Sequence, residues 1–281
     1  MIGIDVGGTT VKLGVVHGGE DITYRLTRPT PHDAAELAKC IGEMLREAEE
    51  HDPDGRAAIS MAGSFNGEGG FDANQLGFEN VPLRELLRAA VGRDIPIEND
   101  GVCALAAEHA SGALAGVHTG LMITLGTGIG GGVIAQGRIY RGGGGAHAEL
   151  GHMITHADGM RCSCGQTGCW ECYASATALS RMAGGMAPRD VIDRVRAGGM
   201  TDIWRKYVHE IAQGLIGLCS IFAPERIVIG GGIGNAGAIL FDALHDDLMR
   251  DDGYRLYYSD IPVLPARFGN DAGIIGAAAL A

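Results

Sequence analysis

The chain has 281 residues, 46% of them hydrophobic, and a formal net charge of -12. Because a single hydrophobic core rarely extends beyond about 250–300 residues, this length predicts two domains. The acidic balance disfavours nucleic acid or an anionic membrane as a partner, and no apolar run reaches the roughly 18 residues of a spanning helix. The N-terminus enters a strand pattern without a leader, so we expect a cytoplasmic protein.

The first predicted element is a β-hairpin over residues 2–16 whose turn is rich in glycine. Asp5 stands at the end of its first strand, and Gly7, Gly8 and Thr9 follow at the turn. A carboxylate, a hydroxyl and glycines that let the backbone approach a ligand are parts of a phosphate and Mg²⁺ site. A plain hairpin turn would explain the same local pattern.

Between the hairpin and residue 115, predicted strands alternate with helices, which indicates a mixed or parallel sheet covered by helices. The helices span 31–50, 82–91 and 99–115, and the strands span 57–61 and 95–98. Asn99 is placed to cap the third helix. Asp100 can accept a proton from a hydroxyl, and the helix N-terminus should keep it ionised as an orienting base. Capping alone is the alternative role for both residues.

The plan of the first hairpin returns in residues 121–135, and an internal repeat is the first sign of related units. Two glycine turns of this kind facing each other across a cleft can hold one polyphosphate. Further helices are predicted over 204–222, 236–248 and 271–281, and a strand over 226–229. We expect the last helix to return to the first domain. The predicted domains are therefore 1–112 with 269–281, and 113–268, with a hinge near 111–116.

A cluster of thiols lies between the repeat and the long helix. Of the chain's 7 cysteines, most fall in this stretch. The predicted ligands of a closed tetrahedral zinc site are His152, Cys162, Cys164 and Cys169. Such a site is structural because no coordination position remains for water. Cys172 lies outside this spacing, and a set of reduced core thiols is the alternative.

Two further features favour ligand binding without requiring it. Glu149 and Glu171 flank the zinc loop, where they are either acceptors for sugar hydroxyls or solvated surface charges. Gly230-Gly231-Gly232 ends a buried strand just before a helix, where an adenine can lie flat against the backbone. A helix-packing turn is an equally good interpretation of these glycines.

Taken together, these motifs resemble the ROK (repressor, ORF, kinase) family over nearly the whole chain. The matching segments are Asp5-Val6-Gly7-Gly8-Thr9, 125–132, Glu149-Leu150-Gly151-His152, 162–171 and Gly230-Gly231-Gly232. The resemblance implies an α/β actin-like ATPase (sugar kinase) fold, with two duplicated α/β domains and a cleft between them. It also implies a hexose kinase that transfers the γ-phosphoryl of Mg-ATP to a sugar hydroxyl, with glucose at its 6-position favoured. Homodimers are common in the family.

The resemblance assigns roles residue by residue. Asp100 is the catalytic base. The implied sugar-binding residues are Gly63, Ser64, Asn74, Asn99, Asp100, Glu149, His152 and Glu171. The implied ATP- and phosphate-binding residues are Asp5, Gly7, Gly8, Thr9, Thr10, Lys12, Gly126, Thr127, Gly128, Gly130, Gly230, Gly231 and Gly232. His152 is also a ligand of the structural Zn²⁺.

Three positions depart from the family pattern and bear on which hexose fits. Thr10 stands where many relatives have Lys, Gln75 where Leu is usual, and His147-Ala148 where Ala-Gly usually precedes the glutamate.

The competing interpretations are a kinase for N-acetylmannosamine, allose or fructose, and a sugar-responsive regulator. The regulator would need a helix-turn-helix, for which no room precedes Asp5. A zinc-dependent hydrolase is disfavoured because the predicted metal site is closed.

Overall fold

The computed structural model describes residues 1–66, 69–143 and 148–281. His147, one of the departures noted above, lies outside these residues. The chain forms two compact units, Met1–Gly112 with Asn270–Ala281, and Ala113–Gly269. Each unit has its own hydrophobic core around its own sheet.

The first unit is built on a five-stranded mixed sheet in the order β3-β2-β1-β4-β8. Strands β1 to β3 are antiparallel neighbours, whereas β4 is parallel to β1 and β8 to β4. The strands of this unit are β1 (Ile2–Val6), β2 (Thr10–His17), β3 (Asp21–Pro29), β4 (Ala57–Met61), β5 (Ser64–Phe65), β6 (Phe71–Ala73), β7 (Phe78–Val81) and β8 (Ile97–Glu98). Strands β5, β6 and β7 form a separate small sheet.

The helices of the first unit are α1 (Ala34–Glu49), α2 (Leu83–Val91), α3 (Asp100–Ser111) and, from the end of the chain, α11 (Ala272–Leu280). Helix α1 begins later than residue 31 because Asp33 caps it, accepting from the N–H groups of Ala35 and Glu36. Helix α3 ends before residue 115, because the backbone of Gly112 at its C-terminus is not helical. The predicted strand over 95–98 is shorter, since only Ile97–Glu98 pairs with β4.

Helix α11 is buried on nearly every side, between the sheet and α3. Close backbone packing makes this possible. A Cβ at Gly3 in β1 would lie 1.8 Å from the carbonyl oxygen of Ile274, and a Cβ at Gly276 would lie 1.8 Å from that of Cys103. The small residues of α11 are therefore required by its position in the core.

The second unit repeats the sheet of the first. Its strands are β9 (Gly120–Leu125), β10 (Ile129–Ala135), β11 (Arg138–Ile139), β12 (Arg226–Gly230) and β13 (Val263–Pro265). Their order is β11-β10-β9-β12-β13, with β9 to β11 antiparallel and β12 and β13 parallel. The same strand order and directions occur in both units, which is the duplication that the repeated hairpin indicated.

The second unit's helices are α4 (Glu171–Ala174), α5 (Ala176–Met182), α6 (Pro188–Arg196), α7 (Thr201–Phe222), α8 (Gly231–Gly234), α9 (Ala238–Leu248) and α10 (Asp252–Tyr257). Helix α7, with 22 residues, crosses the core and buries Tyr207, Ile211 and Leu215. Across the described ranges, no helix combines the length and apolarity that crossing a bilayer requires.

Candidate functional site

The first glycine turn joins β1 to β2 and presents N–H donors. Its ends are closed by a bond from the Gly7 N–H to the Thr10 carbonyl, 3.0 Å long. Thr30, a buried residue, holds the turn from outside: its hydroxyl donates to the Gly7 carbonyl at 2.7 Å and its N–H to the Thr9 carbonyl at 3.0 Å. In the described part of the chain, the N–H groups of Gly8 and Thr9 have no acceptor. Unpaired N–H groups in a turn suit an anion such as phosphate.

Asp5 lies beside this turn at the end of β1. The Ser60 hydroxyl donates to its Oδ1 at 3.1 Å, and Lys12 stands opposite it in β2. Burial raises the pKa of Asp5, an effect that the Ser60 hydrogen bond and the Lys12 charge partly offset. A Cβ at Gly273 would lie 2.3 Å from Oδ1, so α11 packs directly against this carboxylate. A fixed, half-buried carboxylate beside phosphate donors fits a Mg²⁺ ligand.

Asp100 is the first residue of α3 and a near neighbour of Asp5, whose pKa its charge raises further. The Gly101 N–H is shared by Asn99 Oδ1 and Asp100 Oδ1, each at 2.9 Å. The side chain of Asp100 is exposed to solvent, yet enough protein surrounds it that desolvation raises its pKa despite these backbone hydrogen bonds. The sequence predicted that the helix N-terminus would dominate. In the structure, desolvation is the larger effect.

Gly63, Ser64 and Asn74 lie in or next to the small sheet of the first unit: Gly63 precedes β5, Ser64 begins it and Asn74 follows β6. Gly63 has φ of 144°, and a Cβ there would lie 2.5 Å from the Asp72 carbonyl oxygen. Ser64 pairs with Asp72 across the sheet. Asn74 opens a 3-10 turn, Asn74–Leu76, and lines a cavity of about 400 Å³ with Asp72 and Gly77. All three residues thus lie near Asp72 of β6.

The second glycine turn, between β9 and β10, repeats the first. The Gly126 N–H donates to the Gly128 carbonyl at 3.0 Å. The start of α5 holds the turn: the Ala176 N–H donates to the Gly126 carbonyl at 2.8 Å and the Thr177 hydroxyl to the Thr127 carbonyl at 2.7 Å. Over the described residues, the N–H groups of Thr127 and Gly128 have no acceptor. Both turns therefore use their carbonyls internally and present N–H groups outward.

Glu171 is bonded to this second turn. Its Oε2 accepts the Ile129 N–H at 2.9 Å, and a Cβ at Gly128 would lie 2.2 Å from the same oxygen. Gly130 is also crowded, since a Cβ there would lie 2.7 Å from the Thr124 hydroxyl. Glu149 is exposed and precedes the 3-10 turn Leu150–His152. One oxygen of Glu171 is thus used by the backbone, a contact that the sequence did not indicate.

The four predicted metal ligands lie together. The ligand atoms of His152, Cys162, Cys164 and Cys169 are all within 4.8 Å of one another. The His152 Nδ1 is 3.7 Å from Cys162 Sγ, and the sulfurs of Cys164 and Cys169 are 3.6 Å apart. Ligand atoms of a tetrahedral zinc site, with bonds of about 2.0–2.3 Å, are roughly 3.5–3.8 Å apart. The donor set and its spacing therefore fit zinc.

The residue after the last of these thiols anchors the loop in the core. Trp170 is fully buried and donates from its indole Nε1 to the Glu210 carbonyl at 2.7 Å. Its ring packs against Gly214 of α7, where a Cβ would lie 2.0 Å from a ring atom. Helix α4 begins at the next residue, Glu171. The anchored Trp170 thus places Glu171, the next residue, where its carboxylate meets the second glycine turn.

The third glycine run lies at the end of β12. Gly231 has φ of 80°, and a Cβ there would lie 2.5 Å from the Leu125 carbonyl oxygen, beside the second turn. Gly232 lines a cavity of about 400 Å³, whose other walls are Ala176, Pro188, Arg189, Ile192, Asp193, Arg196, Ile233, Asn235 and Ala236. The Arg196 guanidinium joins two sides of this cavity, since it donates to the Asp193 carboxylate at 3.1 Å and to the Ala236 carbonyl at 3.1 Å. Ala176 belongs both to this cavity and to the support of the second turn.

Comparison with known proteins places this arrangement in a family. The ROK family model matches residues 1–281. The chain belongs to the ROK family. A glucokinase from Thermotoga maritima is 33% identical over an alignment of 306 residues, which covers 100% of this chain and 96% of that protein.

Solved structures agree with the ROK assignment. A ROK family glucokinase from Streptomyces griseus, in complex with glucose and AMPPNP, has a TM-score of 0.81 at 30% identity and covers 100% of this chain and 98% of its own. A ROK hexokinase from Thermus thermophilus has a TM-score of 0.86 at 31% identity, with coverage of 100% and 97%. The predicted fold class, the sugar-kinase form of the actin-like ATPase fold, is confirmed.

Sequence reasoning missed several supporting residues of this ROK protein. Thr30 holds the first turn, but it stands between two prolines in a polar stretch that carries no ligand signal. Ser60 holds Asp5, but it is a single polar residue in an apolar strand. Arg189 and Arg196 of α6 and Asn235, which follows α8, line the cavity beside Gly232, and their local sequence pattern carries no ligand signal. The one available indication was Pro188, which marks the first turn of α6.

Proposed function

We propose that this protein is an ATP-dependent glucose kinase that transfers the γ-phosphoryl group of ATP to the 6-hydroxyl. The observation that carries this conclusion is the full-length likeness to glucokinases, one of them solved with glucose and AMPPNP. The two glycine turns also support it, because each has N–H groups that can bind the phosphate oxygens of a nucleotide. The chain is a sugar kinase of the ROK family.

We assign the nucleotide to the three glycine runs. The cavity beside Gly232 has the size of an adenosine site, and it shares Ala176 with the second turn, so a nucleotide there would direct its phosphates to Gly126, Thr127, Gly128 and Gly130. Gly230 and Gly231 would lie under the base. Gly7, Gly8, Thr9, Thr10 and Lys12 would bind phosphate at the first turn. Asp5 would hold Mg²⁺, which neutralises charge on the transferred group when bound.

Asp100 is assigned as the catalytic base. Phosphoryl transfer breaks the bond between the γ-phosphorus and the bridging oxygen, forms a bond to the sugar oxygen and releases the hydroxyl proton, which the Asp100 carboxylate accepts. Its raised pKa, caused mainly by desolvation, makes this carboxylate a better proton acceptor than an ordinary aspartate. We assign the sugar hydroxyls to Asn99, Glu149, His152 and Glu171 and to the surface formed by Gly63, Ser64 and Asn74.

We propose that His152, Cys162, Cys164 and Cys169 hold a structural zinc ion, which is supported by their spacing and by the closed donor set. This zinc would rigidify the loop that positions His152 and Glu171. We also propose a cytoplasmic homodimer. A reducing compartment would keep the thiols available for metal, and size-exclusion chromatography with light scattering tests the dimer.

The test of the proposed function is ADP release from Mg-ATP with glucose, mannose, fructose, allose, N-acetylglucosamine or N-acetylmannosamine as acceptor. We expect glucose to give the highest kcat/KM, and Asp100→Ala to lose turnover at least about 10²-fold while still binding sugar. A higher kcat/KM for another sugar would show that glucose is not the preferred substrate, while the assignment as a sugar kinase would stand. No turnover with any sugar would refute the proposal.

A further inference from the structure

Gln75 lies against the first glycine turn, although it is distant from that turn in sequence. A Cβ placed on Gly8 would lie 3.7 Å from Gln75 Oε1, 4.0 Å from its Cβ and 4.0 Å from its carbonyl oxygen. Three atoms of Gln75, including one of its backbone, thus border the space above Gly8. The proximity is therefore a property of the chain path and not of a side-chain rotamer alone.

The backbone at Gln75 is held firmly. It is the middle residue of the 3-10 turn Asn74–Leu76, which the Gly77 N–H closes by donating to the Asn74 carbonyl at 3.2 Å. The flanking side chains of Ala73, Leu76 and Phe78 are buried in the core of the first unit. Gln75 itself is exposed. The buried residues before and after it therefore hold the Gln75 backbone next to Gly8.

The carboxamide of Gln75 is not used by the protein. Over residues 1–66, 69–143 and 148–281, no hydrogen bond joins it to another group. A primary amide offers two N–H donors, and its oxygen and nitrogen can exchange places by rotation of the amide group. Gln75 can therefore present a donor to whatever binds at Gly8 and Thr9, whose own N–H groups have no acceptor in this part of the chain.

We propose that Gln75 binds the nucleotide directly, donating a hydrogen bond to a phosphate oxygen held at the first glycine turn. This inference rests on the proposed kinase function. Lys12, the lysine assigned to phosphate at this turn, stands opposite the Asp5 carboxylate, so neutral N–H donors would share the phosphate binding with it. Gln75 would add a side-chain donor to the two backbone donors of Gly8 and Thr9.

The proposal is tested by calorimetric titration of Mg-AMPPNP, Mg-ADP and AMP into the wild type, Gln75→Leu and Gln75→Glu. We expect Gln75→Leu to weaken Mg-AMPPNP binding about tenfold, the effect of losing a hydrogen bond to a charged group, and to leave AMP unchanged. Gln75→Glu should weaken it further, because a carboxylate repels phosphate. The matched control is Gln213→Leu at an exposed position of α7, which should bind as the wild type does.

Steady-state kinetics give the second readout. In Gln75→Leu the KM for Mg-ATP should rise about tenfold while kcat and the KM for glucose change little, which is the signature of a binding contact made equally in ground and transition states. Unchanged AMPPNP affinity, equal weakening of AMP, or a change confined to the KM for glucose would overturn the proposal. Failure of the wild type to bind AMPPNP would instead refute the kinase function itself.

Discussion

Two carboxylates of the first unit, those of Asp5 and Asp100, have raised pKa values, and the dominant cause in both is desolvation. The charged forms are therefore less stable in the folded protein than in the unfolded chain. Asp5 lies beside the first glycine turn, and Asp100 is the first residue of α3. Ionisable groups whose pKa values are shifted by desolvation are common at active sites.

The first expectation concerns Asp100→Asn. Asparagine keeps an oxygen for the Gly101 N–H but cannot accept the sugar proton, so kcat should fall at least about 10²-fold. Thermal stability at neutral pH should be unchanged or higher, because the variant removes a desolvated charge. The stability gain should shrink as the pH falls and the wild-type carboxylate becomes protonated. Turnover within a factor of two of the wild type would show that Asp100 is not the base.

The second expectation concerns pH. A folded-state pKa above the ordinary aspartate value means that Asp100 loses its charge at a higher pH than an ordinary aspartate does. The acid limb of a plot of kcat/KM against pH should therefore lie above the ordinary aspartate range, with activity lost as the pH falls through it. An acid limb at or below that range would contradict a raised pKa of Asp100 in its role as the base. The pKa of Asp5 is raised as well, so the acid limb reflects the titration of both carboxylates and not of Asp100 alone.

Among the elements of the second unit, the loop that carries the Cys162, Cys164 and Cys169 thiols is joined to the second glycine turn through Trp170 and Glu171. The loop is short and rich in backbone bonds to its own residues, such as the Gly168 N–H to the Met160 carbonyl at 2.8 Å. Gly168 itself is required, with φ of 84° and a Cβ that would lie 1.7 Å from the His156 carbonyl oxygen. Losing the metal should therefore loosen the loop and the contact of Glu171 with Ile129.

The third expectation concerns that metal. The purified protein should contain about one zinc per chain, and Cys164→Ser should lower the zinc content and the thermal midpoint. Cys172→Ser is the matched control, since Cys172 lies in the same segment but outside the set of clustered ligand atoms. Metal analysis by mass spectrometry checks both. Equal zinc loss in the two variants, or a folded wild type without zinc, would contradict the assignment.

Glycine turns and long helices were predictable from sequence, because each leaves a local pattern. The strand over 57–61 and the end of α7 at Phe222 were predicted correctly, and Asn99 caps α3 as expected. The small sheet of β5, β6 and β7 was not predicted. Its strands are short, and Phe71 and Phe78 give too few alternations to reveal a period. The bond between Glu171 and Ile129 could not be predicted, because residues distant in sequence meet there.

At the scale of the whole molecule, both units share one strand order, and the first unit is completed by the last residues of the chain. The repeated hairpins and the small-residue helix at the end carried most of this information in the sequence. What the sequence lacked was the close packing of α11, which depends on backbone contacts at Gly3 and Gly276. Such contacts are set by the tertiary fold and leave no period in the sequence.

The fourth expectation follows from this packing. Ile274→Ala removes a buried side chain of α11 and should destabilise the first unit by about 2–4 kcal/mol. Hydrogen exchange should show faster exchange in β1 and unchanged exchange in β9 of the second unit. Ala279→Ser, at an exposed position of the same helix, is the control and should change neither. Equally faster hydrogen exchange in β1 and β9 would show that α11 does not stabilise the first unit specifically.

Glucose phosphorylation is observed most directly by ³¹P NMR of the wild-type protein with Mg-ATP and glucose. We expect the γ-phosphate resonance to be replaced by that of a sugar 6-phosphate ester, with one ADP formed for each ester. Accumulation of inorganic phosphate without an ester, or an unchanged ATP spectrum at high enzyme concentration, would contradict the assignment of this protein as a glucose kinase.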